Sequence, residues 1–137
     1  MKHKNTLIAL SILTISMLLT VSCKKYPDGP LLSLRTRSER LANTWKIDNY
    51  KINGNDYTSL IPSYTETFTK KGSYNYSWSV FEGSGTWSFQ NHDKEVKLNG
   101  NDDQSSRTLY ILKLEERTLW YYYMDGNDKH EFHLNEK

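Results

Sequence analysis

The chain reads as all-β, an eight-stranded antiparallel up-and-down barrel behind an N-terminal signal peptide and a tether. Three observations predict it. From Tyr64 to Phe89 aromatic residues recur at every second position, with Tyr74, Tyr76, Trp78 and Val80 alternating with Ser73, Asn75, Ser77 and Ser79. That period of two belongs to half-buried strands, whose successive side chains point to opposite faces of a sheet. Further alternating runs follow, separated by short turns rich in Gly, Asn and Asp, and no stretch among them is long enough for a crossover helix, so sequential neighbours pair as a meander. A meander of eight strands in about 95 residues does best by closing, because closure removes both sheet edges. A barrel is therefore favoured over a two-sheet sandwich.

The elements follow in order. Lys2, His3 and Lys4 precede the apolar run Leu7 to Val21, which has the length and charge order of a secretory signal peptide over residues 1–22 and is shorter than a membrane span of about 20 apolar residues. Lys2 and Lys4 carry the whole formal surplus of +2. Without them the chain is neutral overall, and it lacks the basic stripe of a nucleic-acid binder. Cys23, the single cysteine, forms no internal disulfide and so requires another explanation. Residues 23–38 hold Pro27, Gly29 and Pro30 near their start and read as a tether that spans at most roughly 50 Å. The barrel domain is expected over 39–137.

Ser38 to Ala42 is expected to make one helical turn with Ser38 as N-cap. The first strand runs from Thr44 to Ile52, where Trp45 and Ile47 share one phase and Tyr50 and Ile52 the other, so a bulge is expected near Asp48-Asn49. Asn53-Gly54-Asn55-Asp56 is a turn, and Thr58 to Ile61 leads to Pro62. Strands over 63–69, 73–81 and 85–90 are separated by turns at Lys70-Lys71-Gly72 and Glu82-Gly83-Ser84-Gly85. Asn91 to Lys94 reverses the chain into a strand over 95–98, and Asn99 to Asp103 turns it again. Over 108–114, Tyr110, Leu112 and Leu114 are expected on one face, with Leu109 and Ile111 on the other. Leu119 to Met124 and His130 to Leu134 complete the set around the Asp125-Gly126-Asn127-Asp128 hairpin.

Two resemblances add to this reading. Leu19-Thr20-Val21-Ser22-Cys23 resembles a bacterial lipoprotein signal, which implies cleavage before Cys23, lipid on that cysteine and stable membrane anchoring. The helical turn leading through Leu41 into Trp45-Lys46-Ile47, then Tyr64-Thr65-Glu66-Thr67-Phe68, Gly85-Thr86-Trp87-Ser88-Phe89 and Tyr110 to Leu114 before Leu119-Trp120, together resemble the lipocalin-like lipoproteins of Bacteroidetes-type bacteria. The resemblance implies a barrel closed at one end by the N-terminal turn, with Trp45 near that end. It also implies a place in the cell envelope, and the basic pair Lys24-Lys25 after Cys23, where surface lipoproteins of such bacteria carry an acidic run, points to the outer membrane facing the periplasm.

The chemistry available is mainly aromatic. Trp45, Phe68, Tyr74, Tyr76, Trp78, Trp87, Tyr110, Tyr121 and Tyr123 are the candidates to line the barrel, either filling it or surrounding a small, partly apolar ligand whose polar end meets tyrosine hydroxyls. Each ring buries roughly 150–250 Å², so filling is the simpler outcome. Of Tyr121-Tyr122-Tyr123 at least one must face outward, where it could meet an envelope protein or a glycan. His130 and His133 lie three apart on a strand and diverge, so no metal site is expected. Asn99 to Asp103 lacks the spacing of a calcium loop. There is no nucleophile elbow and no phosphate loop, and Glu66, a lone carboxylate, is expected at the barrel rim, so neither an enzyme nor a cofactor is expected. The two functions left open are a membrane-anchored binding protein and a filled barrel that serves as an interaction module.

Overall fold

The computed structural model describes residues 33–102 and 105–137. The expected signal peptide 1–22, Cys23, the tether as far as residue 32 and Asp103 lie outside the described residues.

Among the described residues one short α-helix, α1 (Arg37–Leu41), precedes the strands. Its N-cap is Thr36 and not Ser38. The Thr36 hydroxyl accepts from the Glu39 amide while the Glu39 carboxylate accepts from the Thr36 amide at 2.9 Å. This reciprocal box needs an acid three residues after the cap, which Thr36 has and Ser38 lacks. The strands are β1 (Thr44–Ile52), β2 (Asn55–Asp56), β3 (Thr65–Phe68), β4 (Ser73–Trp78), β5 (Phe81–Gln90), β6 (Glu95–Gly100), β7 (Arg107–Leu114), β8 (Thr118–Asp125) and β9 (Asp128–Glu136). Neighbours pair antiparallel in the order β2-β1-β3-β4-β5-β6-β7-β8-β9, and β1 also pairs with β9. That last ladder, from Trp45–Glu136 to Ile52–His130, closes the sheet. Since β2 is a two-residue addition to the end of β1, the barrel proper has eight strands, as expected.

Two bulges set which residues face inward. The register shifts between Ile47 and Asn49, so Trp45 and Tyr50 are both buried although their odd spacing would send them to opposite faces of a regular strand. A second shift lies between Ile111 and Lys113. It turns Leu114 to the interior with Leu109 and Ile111, which breaks the expected grouping of Tyr110, Leu112 and Leu114.

The expected turn at Glu82 to Gly85 is strand. The chain reverses three residues earlier, at Ser79 and Val80, with Ser79 in the left-handed region at φ 53°. Gly83 and Gly85 are glycines because other groups occupy the space a Cβ would need. At Gly83 these are the Tyr76 ring and the Ser105 hydroxyl, and at Gly85 the backbone of Asn99 and Gly100.

The interior is layered. At the end covered by α1, Leu41, Trp45, Val96, Leu114, Leu119 and Leu134 are wholly buried, and the Trp45 indole donates to the Leu41 carbonyl at 3.0 Å. Toward the opposite end the side chains become tyrosines. The outer wall has its own ladder, in which Trp120 stacks on His133 at 4.2 Å, Lys113 lies over Trp120 and Lys129 over Tyr122, and Tyr122 stacks on Tyr110 at 4.9 Å. Cross-strand pairs of this kind explain an outward tyrosine without a partner molecule.

Candidate functional site

The turns at Asn53-Gly54, Ser79-Val80 and Gly126-Asn127 surround the end of the barrel away from α1. Just inside them is a cavity of about 180 Å³. The bulge in β1 turns Tyr50 into it, and the segment between β2 and β3 adds Ile61 and Tyr64. Tyr76 and Trp78 enter from β4, Arg107 from β7, Tyr123 from β8 and Phe132 from β9. Gly83 leaves room for the Tyr76 ring. Tyr64 packs against Tyr76 at 6.2 Å and Phe132 at 5.3 Å. The walls are therefore ring faces and edges. Arg107 is the one charged side chain among the described residues lining the cavity, and its guanidinium lies 4.5 Å over the Tyr123 ring. Behind the wall, Tyr50 Oη is 2.6 Å from His130 Nδ1, and His130 stacks on Tyr123 at 4.9 Å. Burial pushes the Tyr50 phenol up to about 12, so it stays protonated.

Beneath this cavity lies Glu66, 1% exposed. It is not at the rim. Its Oε2 accepts from the hydroxyls of Tyr64 at 3.0 Å, Tyr121 at 3.1 Å and Tyr74 at 3.3 Å, while Oε1 has no hydrogen-bond partner among the described residues. Burial pushes the carboxyl up to about 7, against the three phenols and the more distant Arg107, which favour the charged form. The phenols of Tyr64, Tyr74 and Tyr121 are in turn driven well above their ordinary range, first by burial and next by the Glu66 charge. They stay protonated and act as donors.

The expected lining residues thus fall into three groups. Tyr76, Trp78 and Tyr123 border the cavity. Trp45, Phe68, Tyr74, Trp87 and Tyr121 are buried in the packed interior; Phe68 meets Trp87 edge-on at 6.0 Å, and Tyr74 and Tyr121 hold Glu66. Tyr110 is on the outer wall, against Tyr122. Among the described residues the rings therefore do both things, packing the barrel interior and bordering a small space at the mouth. Arg107 was not among the expected residues, although it continues the inward phase of Leu109 and Ile111. Tyr50, Ile61, Tyr64 and Phe132 also join the cavity.

A space of this size fits a single ring, since an engineered cavity of about 150 Å³ holds benzene, whereas larger ligands need about 300 Å³ or more. No group of three or more His, Cys, Asp or Glu among the described residues converges to hold a metal ion.

No protein-family model matches the chain, and no curated protein matches it. Solved structures do. A lipocalin-like protein from Bacteroides uniformis superposes with a TM-score of 0.53 at 14% identity, over 72% of this chain and 99% of its own. A second protein from the same organism, solved by NMR, superposes at 0.51 with 18% identity, over 72% and 90%. The barrel is lipocalin-like in fold. At these identities the likeness extends to the fold alone.

Proposed function

We propose that this protein is a binding module of the bacterial cell envelope, held to the outer membrane by lipid on Cys23 and facing the periplasm, whose barrel mouth receives one small, partly apolar molecule. The observation that carries this reading is the cavity itself, a ring-sized space among tyrosine and tryptophan faces with one guanidinium on its wall. Apolar walls with few polar groups suit a ligand of mixed character. The lipocalin-like fold is consistent with binding at an open barrel end. The anchor rests on the sequence around Cys23.

The test is an NMR titration of the full chain, in micelles, with phenol and with cyclohexanol. Binding at the mouth shifts the Trp78 indole and the Tyr76, Tyr123 and Ile61 signals and leaves Leu41 and Leu119 at the closed end unmoved. If neither compound moves these signals beyond the effect of the micelles alone, the reading fails. Replacing Cys23 with Ala tests the anchor separately, since the mature mass should then lose its acyl chains.

One observation favours a second reading, a module that meets an envelope protein or a glycan. Val80 (87% exposed), Leu60 (58%) and Phe81 (54%), with Tyr57 and Met124, are exposed on the turns and strand ends at the mouth end of the barrel, and exposed apolar groups mark interaction sites where they are contiguous. Cross-linking from Phe81 that captures one defined envelope component, together with a silent titration, would decide for it.

A further inference from the structure

At the other end of the barrel, beside α1, a recess of about 430 Å³ is lined by Arg35, Thr36, Arg37, Ser38, Arg40, Phe89 and Asp93. We infer that this recess is an anion site for a phosphate group, filled by the phosphodiester of a lipid headgroup or by free phosphate.

Three guanidiniums meet two carboxylates here. Arg35 pairs with Glu116 at 3.3 Å and Arg37 with Asp93 at 3.0 Å. Glu39 is engaged by Thr36 and Lys70. No carboxylate among the described residues pairs with Arg40. Its Nη1 donates to the Arg35 carbonyl at 2.6 Å, its Nε has no partner, and the residue is 7% exposed. A guanidinium withdrawn from water without a counter-charge is unfavourable unless an anion joins it. Guanidinium forks match the oxygens of a phosphate, and the nearby Ser38 hydroxyl can add a neutral donor. The recess is larger than a lone ion needs, and Phe89 gives it an apolar wall on which a glycerol or acyl segment can rest.

Position favours the lipid source. Residues 33–36 lead into α1 at this end of the barrel, and Cys23 lies ten residues before Ser33, a span of at most about 35 Å. The lipid source rests on the anchor proposed above. The anion site does not.

The test uses the processed full chain in nanodiscs of phosphatidylcholine, with and without phosphatidylglycerol, and reads backbone hydrogen exchange in residues 36–42. Slowing by about tenfold in the phosphatidylglycerol discs alone identifies the lipid phosphate. The same slowing on adding inorganic phosphate to phosphatidylcholine discs, at constant ionic strength, identifies free phosphate. In both cases Arg40→Gln must abolish the effect while Lys24 and Lys25 remain in place, with exchange in β8 unchanged as proof of folding. If Arg40→Gln does not fold, Arg37→Gln serves instead and must weaken the slowing at least several-fold. No slowing with either anion overturns the site, as does slowing that survives these substitutions. An intact mass without acyl chains on Cys23 would remove the anchor while leaving the phosphate arm decisive.

Discussion

The Tyr121 hydroxyl donates to Glu66 Oε2 across 3.1 Å, joining β8 to β3 through the interior of the barrel. These strands share no backbone ladder. The carboxyl is therefore the point at which three strand-borne or strand-adjacent phenols converge, and its proton is linked to the stability of the barrel.

Stability should fall as pH rises from about 4.5 to about 7. Burial holds the Glu66 carboxyl at about 7 in the folded chain against an ordinary value of 4.5, so in that window the folded chain holds a proton that the unfolded chain has released. The Glu66 contribution is fully present below the unfolded pKa and is lost as pH passes the folded one. The change amounts to about 3 kcal/mol. Urea unfolding of wild type and Glu66→Gln at pH 5, 6, 7 and 8 checks it. The Gln variant should lose this slope, whereas an equal slope in both chains would assign it to other groups.

Tyr121→Phe should be more harmful at pH 8 than at pH 5. The phenol favours the ionised carboxylate, so its loss matters most where Glu66 is charged. A cost of about 1–3 kcal/mol is expected at the higher pH. A pH-independent cost would mean that the ring's packing is all that matters.

The closed end should be the most demanding part of the core. Leu41→Ala should cost about 2–5 kcal/mol, because the side chain is wholly buried against the barrel floor. Trp45→Phe should cost less in volume but leave the Leu41 carbonyl without its indole donor. Thermal unfolding separates the two variants.

Two glycines should respond differently for different reasons. Gly83→Ala places a methyl group against Tyr76 and Ser105, an overpacking expected to cost about 1–3 kcal/mol and to disturb the cavity wall. Gly54→Ala meets nothing within 4 Å but must hold φ +86°, a backbone penalty of about 1 kcal/mol. Tyr76 NMR signals should move only in the first.

Much of this was legible in the residues. Alternation located the strands, and the phase change in β1 located its bulge. The turn at Glu82 to Gly85 was misread because glycine next to serine signals a turn locally, whereas Gly83 and Gly85 answer to crowding from Tyr76 and from the β6 backbone. Tyr110 was misplaced because a bulge after Ile111 has no clear sequence mark. Glu66 looked solitary because its partners Tyr74 and Tyr121 come from other strands, and their convergence depends on register across the barrel. Arg107 could have been found by extending the phase of Leu109 and Ile111 back to the start of β7.

The most direct test of the central claim is native mass spectrometry of the protein isolated from its own membranes, comparing wild type with Ile61→Trp, which fills the mouth cavity. A binding module predicts a small additional mass on the wild-type chain that is released on denaturation and absent from a folded Ile61→Trp chain. A bare wild-type mass, or an added mass that Ile61→Trp retains, would contradict it.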